Sequence, residues 1–279
     1  MAYKSVKGME DILPQDTRVW RWLEESARRD LESYGYVEIR TPILEETSVF
    51  TRSIGEETDI VSKEMYTFVD RKGRSLTLRP EGTAPIVRAY IEHSLDKTHP
   101  MPAKLYYIGP MFRSERPQKG RTRQFHQIGV EIIGAGSHLT DAEVLSQLNN
   151  MLSKVFKLTG FTIKLNSLGC KKDKENFAKI VLKDYLKGEE NRLCADCKAR
   201  LKKNTLRVLD CKNETCIQAA RTAPAITDNL CQACKDHFDK LKDLLNKSDI
   251  KVDESKNLVR GLDYYTGTVF EICDGSTSI

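Results

Sequence analysis

The chain has 279 residues, a net charge of +5 at neutral pH, 39% hydrophobic residues and 8% aromatic residues. This apolar content is enough for a buried core and excludes a wholly disordered chain. No stretch approaches the ~18 apolar residues of a membrane-spanning helix, and the N-terminus lacks the apolar centre of a secretion signal. We therefore expect a cytoplasmic protein without a membrane partner.

The basic excess is confined to one internal segment, residues 170–252, which has 19 basic and 13 acidic side chains. The remainder of the chain is close to neutral. A basic segment beside a neutral body is typical of proteins that bind a polyanion such as nucleic acid, although a lysine-rich solvated surface has the same composition.

The predicted elements begin with a helix, for which Asp16 is a suitable N-cap and Gly35 a suitable stop. Residues 36–40 alternate as in a strand. A hairpin follows, with strands over residues 65–69 and 75–78. The next helix is predicted from about Glu81 to His93.

Two long strands are predicted after this helix, because β-forming residues dominate both segments. The first covers residues 104–115 with an interruption at Gly109 and Pro110, and the second covers residues 123–133. A helix capped by Asp141 comes next.

From Cys170 onwards, short amphipathic helices replace the strands, and strand-like alternation returns after Asn257. The pattern predicts an α+β fold, in which an antiparallel sheet flanked by helices is interrupted by a smaller helical domain. We expect a core domain over residues 1–169, a basic helical insertion with the cysteine cluster over residues 170–252, and a return to the core over residues 253–279.

The strand over residues 123–133 has two different faces, because side chains alternate across a sheet. One face is mostly apolar and suits a core. The opposite face carries Arg123, Phe125, Gln127, Gly129 and Glu131. This face suits a ligand with an anionic part, a stackable ring and polar groups, and Gly129 would let the ligand approach the backbone. A solvent-facing polar surface is the alternative.

Positive charge is concentrated just before this strand. Five basic residues stand against one acidic residue, Glu115: Arg113, Arg116, Lys119, Arg121 and Arg123. Arginine grips phosphate bidentately, and the sequence has neither a Walker loop nor a Gly-x-Gly-x-x-Gly motif. A nucleotide would therefore bind on a sheet surface through arginines.

Two further segments combine polar residues in a way that suits a site. Glu81 and Thr83 stand at a helix start, where they either cap the helix or aim a carboxylate at an ammonium group. Arg260, Tyr264 and Tyr265 stand beside a glycine, where the alternative is a turn with core aromatics.

Six of the eight cysteines fall within 41 residues. In a cytosolic protein, such clustering favours metal over disulfides, and two Cys-x-x-Cys pairs supply four thiolates for a tetrahedral Zn²⁺. Reduced thiols or a redox pair are alternatives. Cys170 and Cys273 stand apart and are expected to be small apolar residues. The expected ligands are Cys194, Cys197, Cys231 and Cys234, with Cys211 and Cys216 as an alternative for one pair.

Together these segments resemble class II aminoacyl-tRNA synthetases, and the histidyl-tRNA synthetase family in particular. The resemblance extends over nearly the whole chain. It is carried by residues 7–14 (an N-terminal signature), 34–42 (motif 1, with Pro42), 78–84 (the histidine-site loop), 107–127 (motif 2), 204–212 (the insertion) and 258–265 (the histidine-specific signature). The resemblance implies a class II fold, a homodimer, and ATP-dependent activation of histidine followed by its transfer to tRNA(His), with Mg²⁺ assisting.

The resemblance also implies roles for the nucleotide-binding residues. Arg113 would hold the ATP α-phosphate, Arg121 and Arg123 would serve the ATP-binding surface, and Phe125 would stack on adenine. Arg113 and Arg260 would be catalytic, because Arg260 would stabilise the α-phosphate during attack by the histidine carboxylate.

The resemblance also implies a second set of residues that would bind histidine, with separate members for its α-amino group, its carboxylate and its imidazole. The set comprises Glu81, Thr83 and Gln127 for the α-amino group, Arg113 and Arg260 for the carboxylate, and Glu131, Tyr264 and Tyr265 for the imidazole. The basic insertion would contact tRNA, and so would Arg116 and Lys119 of the motif 2 loop.

The family's motif 3 and anticodon-binding domain are expected beyond Ile279, so we expect this chain alone to catalyse little. Two alternatives remain. A synthetase-like regulatory subunit of ATP phosphoribosyltransferase would share the fold, but it needs neither the basic motif 2 loop nor the basic insertion. A zinc-bearing nucleic-acid-binding module would not need the pocket-like face with Glu81, Gln127 and Glu131.

Overall fold

The computed structural model describes residues 3–55, 58, 60–117, 120–260, 264–275 and 277–278. The helices are α1 (Pro14–Ser33), α2 (Thr47–Ile54), α3 (Thr83–Glu92), α4 (Leu95–Thr98), α5 (His138–Asn150), α6 (Lys171–Asn176), α7 (Lys183–Gly188), α8 (Ala195–Lys203), α9 (Glu214–Arg221) and α10 (Gln232–Lys247). The strands are β1 (Val37–Glu38), β2 (Leu44–Glu46), β3 (Tyr66–Val69), β4 (Ser75–Leu78), β5 (Ala103–Phe112), β6 (Gln124–Ile133), β7 (Phe161–Ser167), β8 (Val252–Glu254), β9 (Thr268–Asp274) and β10 (Thr277–Ser278).

Most predicted elements are present, but the two predicted N-caps Asp16 and Asp141 were wrong. Helix α1 begins at Pro14 after Leu13, because the fixed φ of proline suits the first helical position, and Asp16 lies inside the first turn. Helix α5 begins before Asp141, whose carboxylate instead accepts a 2.6 Å hydrogen bond from the Thr268 hydroxyl.

Two strand predictions also need correction. Strand β1 is limited to two residues. Strand β5 runs without interruption through Gly109 and Pro110. Strand β1 pairs with β5 only at Leu105 and Tyr106, so at Pro110 strand β5 has only β6 as a neighbour. Proline is tolerated there because no strand on the other side needs a hydrogen bond from its backbone nitrogen.

The first compact unit comprises residues 1–135 and 150–156. Its sheets have the orders β1-β5-β6 and β2-β4-β3, and every pairing is antiparallel except the parallel β1–β5 pair. The apolar face of β6, with Ile128, Val130 and Ile132, packs on Ala27 and Leu31 of α1. The opposite face of β6 is therefore turned away from this core, as the alternation predicts.

The second compact unit comprises residues 136–149 and 157–279. Its sheet has the order β10-β9-β7-β8, with β7 and β8 parallel. Helices α6 to α10 lie in the chain between these two paired strands, so the helical segment is an insertion within a sheet. Its buried core contains Phe177, Leu182, Leu186, Cys197 and Cys216.

None of the helices in the described ranges combines the length and the apolarity that a bilayer crossing requires.

Candidate active site and cysteine clusters

The outward face of β6 is built around a tyrosine ring held between two glycines. Tyr107 of β5 pairs with Gly129 of β6, and a Cβ added at either Gly129 or Gly82 would overlap the Tyr107 ring. Glycine is required at both positions because the ring occupies the space that any side chain would need. The close contact fixes the distance between the start of α3 and β6.

Two carboxylates lie beside this ring. The Thr83 hydroxyl donates a 2.6 Å hydrogen bond to Glu131, and Glu81 accepts hydrogen bonds of 2.7 and 2.8 Å from the backbone N–H groups of Thr83 and Ala84. Glu81 is thus both a helix cap and part of the site. Thr83 is joined to a second carboxylate, and its hydroxyl oxygen still has acceptor capacity for an amino group.

Both carboxylates have raised pKa values. Burial raises the pKa of Glu131 to about 7; the neighbouring Glu81 also raises it, and the hydrogen bond from Thr83 opposes the increase. Burial likewise raises the pKa of Glu81, while its backbone hydrogen bonds and Arg113 act in the opposite direction. The site therefore holds two acids whose charged forms would be favoured by a cationic ligand.

Gln127 adds a third acceptor on the same face of β6. Within the part of the chain that the structure describes, its side-chain oxygen is buried and has no hydrogen-bond partner. A buried acceptor without a donor costs about 1–3 kcal/mol, so this oxygen indicates a ligand that donates an N–H or O–H there.

Arg113 stands at the end of this face. Its Nε donates a 2.9 Å hydrogen bond to the Pro80 carbonyl, and its guanidinium lies 5.0 Å from the centroid of the Phe125 ring. The first contact fixes the arginine beside Glu81, and the second places a cation against the ring that was expected to stack on adenine. An anion and a flat base can therefore be bound next to each other.

The other basic residues of the loop have different surroundings. Arg123 donates to the carbonyls of Glu115 and Lys7, at 3.2 and 3.3 Å, and Arg121 lies 3.5 Å from the Glu115 carboxylate. Arg121 is thus engaged within the loop, and Arg123 ties the loop to the N-terminal segment. Arg116 is exposed, and Lys119 lies outside the described residues.

In the second unit, three of the expected residues are brought together. Tyr264 and Tyr265 stack with ring centroids 5.0 Å apart, and the Arg260 guanidinium lies 5.6 Å from the Tyr265 ring. Arg260 also lies 3.7 Å from the Glu271 carboxylate. The arginine is therefore held by an aromatic face and an acid.

The cysteines form two separate clusters. The sulfur atoms of the first lie within 4.8 Å of one another, with 3.9 Å between Cys194 and Cys211. The first cluster comprises Cys194, Cys197, Cys211 and Cys216. Burial raises the pKa of the Cys197 and Cys216 thiols. The structure thus brings Cys194 and Cys197 together with the alternative pair, Cys211 and Cys216, while Cys231 and Cys234 lie in another cluster, because α8 and α9 enter one core and Cys231 is the N-cap of α10.

The second cluster comprises Cys170, Asp173, Cys231 and Cys234. The sequence reasoning missed two of its members, since Cys170 was expected to be an apolar residue and Asp173 was not considered. A signal was present: Cys170 begins a Cys-x-x-Asp-Lys segment with the same spacing as Cys194-Ala-Asp-Cys-Lys198.

Two other residues of the site were missed. Tyr107 is the ring described above. Buried Arg79 donates to the carbonyls of Pro110 and Thr41, at 2.9 and 2.8 Å, and so ties β4 to β5. Gly82, just before helix α3, was the available signal for a close contact there.

The chain is similar to known proteins over nearly its whole length. A family model described as histidyl-tRNA synthetase matches residues 8–277. Histidine–tRNA ligases of Thermosipho melanesiensis and Aquifex aeolicus are 52% and 51% identical over 98% and 97% of this chain. The chain spans 64% and 66% of the length of these two relatives.

Solved structures give the same result for the fold. The apo histidyl-tRNA synthetase of S. aureus matches with a TM-score of 0.76 and 38% identity, over 99% of this chain and 65% of that one. A Bacillus halodurans protein described as an ATP phosphoribosyltransferase regulatory subunit/histidyl-tRNA synthetase matches in fold, with a TM-score of 0.71 and 23% identity over 100% of this chain and 74% of that one. The predicted class II synthetase-like α+β fold is confirmed. By the family match over nearly its whole length, the chain belongs to the histidyl-tRNA synthetase family.

Proposed function

We propose that this chain carries the histidine-activating core of a histidine–tRNA ligase, a class II aminoacyl-tRNA synthetase. The observation that carries the proposal is the group of three acceptors, Glu81, Gln127 and Glu131, beside an arginine anchored at Pro80 and placed against Phe125. Free histidine has a cationic amino group, an N–H on its ring and a carboxylate. The three acceptors and the arginine match these groups in charge and in hydrogen-bonding capacity.

The α-amino group of histidine would bind to Glu81, Thr83 and Gln127, and its imidazole to Glu131. The buried, partnerless oxygen of Gln127 supports this assignment because an ammonium group would satisfy it. A raised pKa at Glu131 also fits, since a carboxylate near its titration point can pair with an imidazole in either protonation state. Tyr264 and Tyr265 are assigned to the imidazole by family resemblance.

The reaction would join two anions, so cations must screen them. A carboxylate oxygen of histidine would attack the α-phosphorus of ATP, the bond from that phosphorus to the bridging oxygen would break, and pyrophosphate would leave. Arg113 would hold the histidine carboxylate and the α-phosphate in line, and Arg260 is assigned to the same charge by resemblance. Mg²⁺ would neutralise the departing pyrophosphate. Phe125, Arg121 and Arg123 would bind the adenine and the remaining phosphates.

The second substrate would be tRNA(His). The lysine-rich insertion, with an excess of six basic residues over residues 170–252, suits sequence-tolerant contacts to phosphates. Exposed Arg116, together with Lys119, would add contacts from the motif 2 loop. We keep the division into a catalytic core (1–169 and 253–279) and an insertion (170–252) as part of this proposal, and it is supported by the position of the helices between paired strands β7 and β8.

A homodimer is part of the same proposal. The motif 1 region exposes the large apolar side chains of Val37, Ile43 and Leu44, and such residues mark protein interfaces when they are clustered. We place the protein in the cytosol, where tRNA is charged for translation. Light scattering on the complete gene product should give twice the mass of one chain, and a monomeric mass would remove the dimer from the account.

The first cysteine cluster is proposed as a structural zinc site. A tetrahedral zinc with Zn–S bonds of about 2.3 Å separates its sulfur ligands by about 3.8 Å. The 3.9 Å between Cys194 and Cys211 agrees with this spacing and is far longer than a disulfide bond of about 2.05 Å. Backbone N–H groups of Cys194 and Asn213 donate to Cys216 and Cys211, as thiolate ligands require.

The test is amino-acid-dependent exchange of labelled pyrophosphate into ATP, catalysed by the complete gene product. We expect exchange with histidine and none with the other amino acids. The competing regulatory function predicts histidine binding without exchange, together with stimulation of an ATP phosphoribosyltransferase. That combination of results would replace the proposed ligase.

A further inference from the structure

We infer that the second cysteine cluster is a separate Cys₃Asp zinc site, which ties the beginning of the helical insertion to the start of its last helix, α10. Its four ligands come from two segments that are 61 positions apart in the sequence: Cys170 and Asp173 after β7, and Cys231 and Cys234 at the start of α10. All four donor atoms lie within 4.8 Å of one another, so side-chain rotation is enough to close them around one ion.

The insertion repeats one local structure three times, which makes the donor geometry systematic. The segments are Cys170-Lys-Lys-Asp-Lys174, Cys194-Ala-Asp-Cys-Lys198 and Cys231-Gln-Ala-Cys-Lys235. In each, the cysteine has an extended N-cap conformation, with ψ of 173°, 166° and 159°. In each, its carbonyl accepts a 3.0 Å hydrogen bond from the lysine four positions later.

This repetition has a direct consequence for metal binding. A donor at the N-cap and a donor three residues later point in the same direction, which is the arrangement that Cys-x-x-Cys ligand pairs use. Three such pairs exist, and Cys211 with Cys216 supplies a fourth. The four pairs make eight donors, enough for two tetrahedral ions, and the structure groups them four and four.

Asp173 has the surroundings of a ligand. Its carboxylate is buried, with 7% of the residue exposed, and it accepts a 3.2 Å hydrogen bond from the Cys170 backbone N–H. That bond orients one carboxylate oxygen, in the same way that hydrogen bonds from neighbouring groups orient metal ligands. An added Cβ at Gly169 would come within 2.6 Å of the Asp173 side chain and 2.7 Å of Leu230, so the two ligand-bearing segments meet closely at this glycine.

A redox pair formed by Cys231 and Cys234 explains the cluster less well. A disulfide between Cys231 and Cys234 would not use the Cys170 thiol or the buried Asp173 carboxylate, which lie in the same cluster. A divalent cation reduces four ligand charges to two, while the three thiol protons pass to solvent.

The site would stabilise a segment that is poorly equipped to fold alone. Residues 171–188 form one continuous helical run, but helices α8 and α9 have only 9 and 8 residues, and helices of this length are marginal in isolation. The first cluster joins α8 to α9 within the insertion. The second cluster would join the beginning of the insertion to α10, so the two ions would stabilise different parts of the insertion.

The experiment measures zinc per chain by elemental analysis, after purification in zinc-containing buffer and removal of free metal. We expect two equivalents in the wild-type chain and one in the double variant Cys231→Ser/Cys234→Ser. One equivalent is also expected in Cys211→Ser/Cys216→Ser, and two in the control Cys273→Ala, whose cysteine belongs to neither cluster. One equivalent in the wild type, lost only through Cys211→Ser/Cys216→Ser, would overturn the second site and leave the first intact.

Cobalt provides a second readout, which reports the number of thiolate ligands directly. In the Cys211→Ser/Cys216→Ser background, Co²⁺ at the second site should give tetrahedral d–d bands and a charge-transfer band from three thiolates. Asp173→Cys should keep the metal and raise that charge-transfer absorbance by about one third, because a fourth thiolate is added. A charge-transfer absorbance that Asp173→Cys leaves unchanged, or a Cys231–Cys234 disulfide in the freshly isolated protein, would contradict the assignment.

Discussion

The hydroxyl of Thr83, at the first position of helix α3, donates a 2.6 Å hydrogen bond to the carboxylate of Glu131 on strand β6. This bond joins the capped helix start to the polar face of the strand. It therefore links the two segments that supply all three acceptors of the proposed histidine site.

The raised pKa of Glu131 predicts a pH-dependent gain in stability for Glu131→Gln. The folded chain keeps a proton on Glu131 up to about pH 7, whereas the ordinary value is 4.5, so the folded state loses stability as pH rises between these values. Replacing the carboxyl with an amide removes this loss. Urea unfolding at pH 8 should show an increase on the order of 1–3 kcal/mol, and unfolding at pH 4.5 almost none.

Glu46→Gln is the matched control, because Glu46 is exposed. It should change the free energy of unfolding little at either pH. If Glu131→Gln changed stability equally at both pH values, the carboxyl would titrate normally and the buried site would be incorrectly described.

The Tyr107 ring between two glycines predicts a specific steric cost. Gly129→Ala should lower the free energy of unfolding by about 1–3 kcal/mol, because the added methyl overlaps the ring. Gly136→Ala is the control, since a Cβ there meets nothing within 4 Å. In a Tyr107→Ala background the same Gly129→Ala change should cost much less. Full additivity of the two changes, measured by denaturant unfolding, would disprove the contact.

Arg113 is predicted to act on the transition state. In the complete gene product, Arg113→Ala should reduce kcat for histidine-dependent pyrophosphate exchange by about 10²–10³-fold, because one preorganised cation at the α-phosphate is lost. Arg71→Ala, in the exposed hairpin turn, should leave exchange unchanged. A near wild-type rate for Arg113→Ala would remove this residue from the chemistry.

The sequence predicted the polar face of β6 well, because strand alternation depends only on backbone geometry. It placed Phe125, Gln127 and Glu131 on one side and the apolar residues on the side that faces the core, which the structure shows to include α1. It could not predict that the Thr83 hydroxyl points to Glu131. These residues are 48 positions apart, and their contact depends on how helix α3 and strand β6 are arranged in space.

The cysteine pairing shows the same limit. Spacing alone identified Cys-x-x-Cys pairs but not which pairs meet, because that depends on which helices share a core. Cys216 is buried with Leu193 and Leu201 in that core, so α9 completes the first cluster. Asp173 escaped notice because a single aspartate in a lysine-rich segment carries no signal until the fold places it beside three thiols.

Zinc removal is predicted to weaken the insertion. Cys197 and Cys216 are fully buried, so a chelator that removes the ion should leave closely spaced sulfurs in the core without a bridging ligand. We expect the midpoint temperature for unfolding of the insertion to fall by at least ~5 °C. We also expect the cysteines to become reactive towards a thiol reagent. The same chelator presaturated with zinc is the control. An unchanged transition with unchanged thiol reactivity would argue against structural zinc.

The most direct measurement of the central claim is a calorimetric titration with L-histidine, carried to concentrations that detect weak binding, on wild-type protein and on Gln127→Met. We predict binding to the wild type and at least ~10-fold weaker binding to the variant, because the oxygen that awaits a donor is gone. The variant should be as stable as the wild type or more so, since a buried acceptor without a partner is removed. Equal affinity of the two proteins for histidine would contradict the placement of the histidine site on this face of β6.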